Sequence, residues 1–137
     1  MELFEIAKRC THAIRESARE MGVPVTACVV DSTGALVLLE RMDRAIPVSV
    51  DMAQRKAVTA ALMGQPTGEL AALVQPGQPL FGLTHVAAGR FVAFGGGVPM
   101  THEGALVGGV GVSGGSIEQD AQLAQIGAAK AAGTEPQ

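Results

Sequence analysis

Near the start of the chain, apolar and polar positions alternate with the period of an α-helix. Apolar side chains recur three and four residues apart, and charged side chains occupy the opposite face. Gly22 and Pro24, residue types that commonly end helices, follow directly. The pattern therefore predicts an amphipathic helix from Leu3 to Met21.

Two short segments rich in apolar and β-branched residues come next, at 25–30 and 35–39. Between them lies Asp31-Ser32-Thr33-Gly34, a sequence typical of tight turns. These features predict a β-hairpin.

A second helical pattern spans residues 50–63. Ser49 is its expected N-cap, and Gly64 is expected to end it. A loop at 41–48 leads into this helix. A short helix at 67–74 and a Pro/Gly-rich loop are predicted to follow it.

The C-terminal part is predicted to contain three strands, at 90–94, 97–101 and 105–112, and then a helix. Ser116 and Gln119 have the spacing of a capping box at the start of this helix.

The connections between predicted strands are short, so every strand pair is expected to be antiparallel. We therefore predict a single α+β domain over residues 1–132, in which helices flank an antiparallel sheet. Residues 133–137 are predicted to be a disordered tail.

Composition excludes several classes of function. The 137 residues are 47% apolar, contain no Trp or Tyr, and carry a net charge of −3 without a basic stripe, so we predict no nucleic-acid partner. No apolar run approaches the roughly 20 residues that span a bilayer, so no membrane contact is expected. The first residues lack a signal-peptide pattern, which predicts a cytoplasmic protein. Abundant Ala and Gly suit a tightly packed homo-oligomer.

Glycines are concentrated in two clusters, at 95–97 and 108–115. Glycine is costly in ordered structure, so such clusters mark forced turns or close backbone approach. We expect both to border one small space, with backbone N–H groups directed at a ligand. The alternative is that these glycines only turn the chain. The candidate ligand-binding residues are Gly96, Gly97, Ser113 and Gly114.

Lys56 falls among apolar residues on the helical wheel, near Met52 and Ala60. Such a lysine extends to solvent, forms a structural ion pair, or projects into a cavity where it binds a carboxylate or acts as a base. Arg41 and Asp43, in the preceding loop, are the nearest candidate charge partners. The alternative for both is a solvated loop.

The three histidines form no metal-binding pattern. His12 is expected on the surface of the first helix, and His102 in a solvated turn. His85 follows Phe81 in a loop that looks ordered, so it is the best candidate for an axial iron ligand or a general base.

Several motifs together resemble the GlcG/HbpS family. They are Val29-Val30-Asp31-Ser32-Thr33-Gly34 with Arg41-Met42-Asp43, the helix Asp51 to Ala61, the turn Gly96-Gly97-Val98-Pro99, and Gly108 to Gly115 with Asp120 beyond. The resemblance covers about residues 2–131. It implies a profilin-like α/β/α domain with a five-stranded antiparallel sheet. It also implies oligomers, haem binding in some members, and kinship with a module fused to a corrinoid adenosyltransferase.

This chain departs from that family pattern in two ways. Arg44 stands where a small residue, often Gly, is usual, which adds a cation at the expected pocket mouth. The lack of Tyr and Trp leaves Phe81 among few aromatic residues able to flank a porphyrin. Both departures favour a smaller acidic ligand over haem.

Three functions remain open at this point. The first is an oligomeric protein that binds haem or a related tetrapyrrole, with Lys56 or Arg44 on a propionate and His85 on iron. The second is a catabolic enzyme for a small carboxylate, with Lys56 binding substrate or acting as base, Gly96 and Gly97 as oxyanion donors, and Asp43 or His85 moving the proton. The third is a non-catalytic accessory or assembly subunit.

Overall fold

The computed structural model describes residues 2–133. Gly133 ends the last helix in a left-handed conformation (φ 81°), and the rest of the predicted tail lies outside the described residues.

Three helices and four strands make up this part of the chain. They are α1 (Leu3–Met21), β1 (Thr26–Asp31), β2 (Leu36–Arg41), α2 (Ser49–Met63), β3 (Gly97–His102), β4 (Ala105–Ser113) and α3 (Ile117–Ala132). Short 3₁₀ turns occupy much of the connection between α2 and β3. None of the helices within residues 2–133 has the length and apolarity needed to cross a membrane.

The strands form one antiparallel sheet in the order β2-β1-β4-β3. The predicted hairpin of β1 and β2 is confirmed. The central strands β1 and β4 pair with each other, so the sheet joins the N-terminal part of the chain to its C-terminal part. The predicted α+β class, with helices flanking an antiparallel sheet, is confirmed.

The sheet has four strands rather than five, so the predicted strand at 90–94 is wrong. Side chains of α2 and the following turn bind this segment instead of a neighbouring strand. The Val92 amide donates to Thr59 Oγ1 at 3.0 Å, and Thr67 Oγ1 donates to the Phe94 carbonyl at 2.6 Å. With these two main-chain groups bound by threonine hydroxyls, the largely apolar segment lies against the domain without entering the sheet.

Helices cover the two faces of the sheet in separate layers. On one face α1 and α3 pack together over a core that includes Ile14, Val29 and Leu123. On the other face α2 packs alone, with Ala53 and Ala57 against the sheet. The result is an α/β/α arrangement.

Glycines in β4 allow α2 to lie directly on the sheet. A Cβ atom at Gly111 would collide with the Ala53 carbonyl, and one at Gly109 with the Ala57 carbonyl. Alanines on the facing side of α2 complete this close approach. Much of the second glycine cluster therefore serves helix-to-sheet packing.

The two later helices begin differently. The capping box predicted for α3 is confirmed: the Gln119 amide donates to Ser116 Oγ at 3.1 Å, and the Ser116 amide donates to Gln119 Oε1 at 3.0 Å. The predicted Ser49 cap of α2 is wrong, because Ser49 is already helical and Val48 is the N-cap. The Ser49 hydroxyl instead bonds the Thr26 hydroxyl at 2.7 Å, which fixes α2 to β1.

Candidate functional site

Lys56 is buried where α2, β4 and α3 meet. Its side chain is 2% exposed, and Nζ donates to the Val112 carbonyl at 2.9 Å and to Asp120 Oδ2 at 3.1 Å. The Phe94 ring centroid lies 5.3 Å from the same atom, within cation–π range. The ammonium thus lies beside a carbonyl, a carboxylate and an aromatic ring.

Asp120 supplies the acidic group opposite this amine. Its other oxygen, Oδ1, accepts the Gly115 amide at 2.9 Å. Burial lowers the pKa of Lys56, and the charge and hydrogen bond of Asp120 act in the opposite direction. The sequence left three alternatives for Lys56: extension to solvent, a structural ion pair, or projection into a cavity. The contact with Asp120 is a structural ion pair. The placement of Lys56 as a ligand-contacting residue stays a prediction.

Gly96 and Gly97 close over the amine. A Cβ at Gly96, whose φ is +128°, would lie 2.6 Å from Lys56 Nζ, and a Cβ at Gly97 would lie 2.7 Å from Thr67 Cγ2. The Gly97 amide donates to Thr67 Oγ1 at 3.0 Å, and the Gly96 carbonyl accepts the Val112 amide at 2.8 Å. This Gly97 N–H is therefore used inside the protein rather than directed at an open space.

Ser113 and Gly114 lie at the same end of the sheet. Ser113 is 7% exposed and pairs with Thr26. Gly114 has a φ of +135°, and a Cβ there would come within 2.6 Å of the Pro24 carbonyl. The structure thus brings five predicted site residues into one compact cluster at this end: Lys56, Gly96, Gly97, Ser113 and Gly114.

The charged loop residues lie apart from this cluster. Arg41 pairs with Thr26 on the opposite side of β1 from Ser113, and its guanidinium donates to the Ala45 carbonyl at 2.7 and 3.2 Å. Asp43 and Arg44 are exposed in the turn after β2. Arg44 has a φ of +73°, a conformation that glycine adopts without strain.

Phe81 and His85 lie in the surface segment between α2 and β3. Phe81 is 64% exposed, and His85 is exposed at the end of a 3₁₀ turn. Their roles on a porphyrin stay predictions.

A groove of about 700 Å³ between α1 and α3 was not anticipated from the sequence. Its volume lies within the range of small-molecule sites, about 300–1,000 Å³. It combines an imidazole, cationic side chains and apolar contact surface. The lining residues are Arg9, His12, Ala13, Glu16, Ser17, Ile126, Lys130 and Gly133.

His12 is exposed on α1, as predicted, and it contributes the imidazole of this groove. Its Nδ1 lies 3.2 Å from Arg15 Nη2, and Arg15 Nη1 lies 3.3 Å from Glu40 Oε2. A guanidinium only donates hydrogen bonds, so Nδ1 accepts and Nε2 carries the proton. The helical spacing of Arg9 and His12 was visible in the sequence, but the packing of α3 beside them was not.

Across residues 2–133, no group of three His, Cys, Asp or Glu side chains is placed to hold a bare metal ion. Cys10 and Cys28 are buried thiols, and burial raises the pKa of each to about 12, so both are protonated at neutral pH.

Comparison with known proteins places these features in context. A family model described as "Haem degrading protein HbpS-like" matches residues 4–129. The chain is 44% identical over 119 residues to an uncharacterized 15.0 kDa protein from the dhaT-dhaS intergenic region of Citrobacter freundii, covering 87% of this chain and 84% of that protein.

Two further matches, one of sequence and one of structure, are to PduO proteins. Over 122 residues the chain is 43% identical to the corrinoid adenosyltransferase PduO of Salmonella typhimurium, covering 89% of this chain but only 36% of that protein. The solved structure titled "Crystal Structure of PduOC:Heme Complex" superposes with a TM-score of 0.89 at 40% identity, covering 95% of this chain and 94% of that one.

Proposed function

The chain belongs to the HbpS-like family, and from that premise we propose that it binds haem or a related tetrapyrrole as a homo-oligomer. The solved PduOC:heme complex is 40% identical in sequence to this chain. The observation that carries the proposal is the groove between α1 and α3, which pairs an exposed imidazole with cationic and apolar side chains.

The donor set of the groove fits such a ligand. Haem presents an apolar ring, two carboxylates and one metal. Ala13 and Ile126 provide apolar surface, Arg9 and Lys130 provide cations suited to carboxylates, and His12 provides a nitrogen for the iron. The iron site is assigned to His12 rather than His85 because only His12 lines this groove.

Arg15 controls how His12 can bind. An imidazole coordinates iron through a nitrogen without a proton, and Arg15 now holds the proton on Nε2. Coordination through Nε2 therefore requires the Arg15 contact to break, so that Nδ1 takes the proton. Glu40, already 3.3 Å from Arg15, is positioned to retain the guanidinium.

The Lys56 cluster is the second place proposed for an acidic ligand. A ligand carboxylate there would have to displace Asp120 from a buried ion pair. Breaking a buried pair in this way costs about 3–5 kcal/mol. The same cost applies to a catalytic role of Lys56 on a small carboxylate, so we place ligand binding in the groove.

Titration of the apoprotein with hemin tests this proposal. We expect a saturating Soret shift with the unmodified chain and with His85→Ala, and a lost or altered shift with His12→Ala. The two variants remove exposed histidines, so both should fold. Absence of any shift at stoichiometric hemin would end the binding proposal, whereas a change with His85→Ala alone would move the site to the loop.

A further inference from the structure

A second cavity, of about 300 Å³, lies between α1 and the β1–β2 hairpin. None of the residues that line it also lines the groove between α1 and α3. Its apolar wall includes Ile14, Ala27 and Met42, and the first two are at most 4% exposed. Arg15 and Glu40, both half-buried, belong to its polar wall. The volume is at the lower end of the range of small-molecule sites.

Two hydrogen-bond donors of this cavity have weak or distant acceptors. The Val25 amide donates to the Met42 thioether at an N–S distance of 3.5 Å, and a thioether is a weak acceptor. Thr11 Oγ1 lies 3.3 Å from the Lys8 carbonyl, beyond the usual O–H···O range of about 2.5–3.0 Å. Both donors belong to residues that line the cavity. This wall therefore suits a ligand that supplies an oxygen acceptor.

The charged donor of the cavity is loosely held as well. Arg15 Nη1 lies 3.3 Å from Glu40 Oε2, and Arg15 Nη2 lies 3.2 Å from His12 Nδ1. Hydrogen bonds between a guanidinium and a carboxylate usually measure about 2.7–2.9 Å. The Glu40 side chain is 38% exposed, so it can turn into water when another carboxylate takes its place. Arg15 is therefore available to a ligand at a small cost in existing contacts.

We propose that this cavity binds a short-chain aliphatic monocarboxylate, with the carboxylate on Arg15 and the tail against Ile14 and Ala27. The Arg41 guanidinium already donates to the Ala45 carbonyl, which leaves Arg15 as the cation for the ligand. One water molecule occupies about 30 Å³ of liquid, so the cavity holds at most about ten non-hydrogen atoms. The apolar wall disfavours a second charged group, which excludes dicarboxylates.

Arg15 connects this cavity to His12, so a bound monocarboxylate also affects the haem site, a step that rests on the proposed function. A carboxylate that accepts from both Nη1 and Nη2 of Arg15 draws the guanidinium away from His12. Nδ1 of His12 can then carry the proton, which leaves Nε2 free for iron. The monocarboxylate should therefore tighten hemin binding, and hemin should tighten carboxylate binding by the same factor.

Titration of the apoprotein with sodium pentanoate tests the cavity. We expect saturable shifts of the Ile14 and Met42 methyl NMR signals, whereas pentylammonium, which has a similar tail but no acceptor, should cause none. Arg15→Met should weaken pentanoate binding about tenfold or more, because it removes bonds from a charged donor. Arg19→Met is the matched control, since the Arg19 side chain is 64% exposed on the same helix and lies outside the cavity. Ala27→Val fills the cavity, keeps Arg15, and should also weaken binding.

Absence of saturation with the unmodified chain would overturn the proposal. Pentanoate binding that Ala27→Val leaves unchanged would also overturn it, because the carboxylate would then lie on the surface.

A hemin titration with pentanoate at saturation tests the coupling. Hemin should bind about fivefold tighter or more, and Arg15→Met should abolish this effect. Hemin binding that saturating pentanoate leaves unchanged would refute the coupling through Arg15. Saturable pentanoate shifts without any Soret change on addition of hemin would contradict the haem proposal and support the cavity assignment, so the two proposals fail separately.

Discussion

Replacing Lys56 by methionine tests whether the buried pair with Asp120 holds the domain together. The variant keeps an unbranched side chain of similar length but leaves the Asp120 carboxylate 3% exposed, with the Gly115 amide as its remaining hydrogen-bond donor among those described. It also removes the donor to the Val112 carbonyl. Leaving one partner of a buried pair uncompensated costs about 3–5 kcal/mol.

Urea unfolding measures this loss. With an m-value of about 2 kcal/mol/M for a domain of this size, the midpoint should fall by about 2 M. Lys8→Met is the matched control, because Lys8 pairs with Glu5 on the surface with both side chains 50% exposed. Exposed pairs contribute at most about 1 kcal/mol, so that midpoint should move by no more than about 0.5 M.

The double variant Lys56→Met, Asp120→Asn tests whether the uncompensated Asp120 carboxylate causes the loss of stability. It removes the orphaned charge and keeps an oxygen for the Gly115 amide, so it should recover part of the lost stability. If Lys56→Met were no more harmful than Lys8→Met, the pair would not stabilise the fold. The amine would then be available for a ligand.

The pH dependence of stability provides a second measurement on the same residue. Because burial lowers the pKa of Lys56, the folded chain releases this proton at lower pH than the unfolded chain, whose ordinary value is 10.5. Between the lowered pKa of the folded state and 10.5, the unfolded state binds more protons than the folded state. The contribution of Lys56 to stability therefore increases as the pH rises through this range, and it decreases as the pH falls. Lys56→Met should lack this increase when both proteins are unfolded in urea across the alkaline range.

Three other substitutions have defined outcomes. Gly111→Ala should destabilise the fold by about 1–3 kcal/mol in urea because its Cβ meets a backbone carbonyl of α2, while Gly68→Ala, whose Cβ would lie at an ordinary 3.5 Å, should be near neutral. Ala88→Gly should raise the thermal midpoint by relieving a φ of +58°, a gain of about 1 kcal/mol, and an unchanged midpoint would argue against strain there. Arg15→Ala should tighten hemin binding by freeing Nδ1 of His12 to carry the proton, and weaker binding in the titration would contradict that role.

Residue spacing was sufficient to predict all three long helices, the β1–β2 hairpin and the capping box of α3, because these depend on local periodicity and side-chain-to-backbone bonds. The strand at 90–94 failed for a non-local reason. Its apolar and aromatic composition suits a strand, but Thr59 and Thr67 bind its main chain from elsewhere in the sequence. No local pattern distinguishes these two environments.

In the candidate site, too, local sequence predicted some features, whereas contacts between distant residues determined others. The position of Lys56 on the inner side of its helix followed from the helical wheel, whereas the expectation that both glycine clusters border one ligand space stays a prediction. The group facing the amine could not be deduced from local pattern, because Asp120 is 64 residues away. Its spacing after Gly115 was the available signal, and it was used only as part of a family resemblance.

The Lys56 cluster and the groove between α1 and α3 differ in how much of each is filled by the chain itself. Around Lys56 the acid, the carbonyl and the aromatic ring all come from the chain itself, so stabilising this end requires no ligand. The glycine-mediated contact of α2 with β4 also leaves no room for added side-chain atoms. On the other face, α1 directs Arg9 and His12 into an open groove beside α3. If the proposed ligand binds in this groove, a change of ligand requires substitutions on α1 and α3, whereas substitutions around Lys56 would affect folding first.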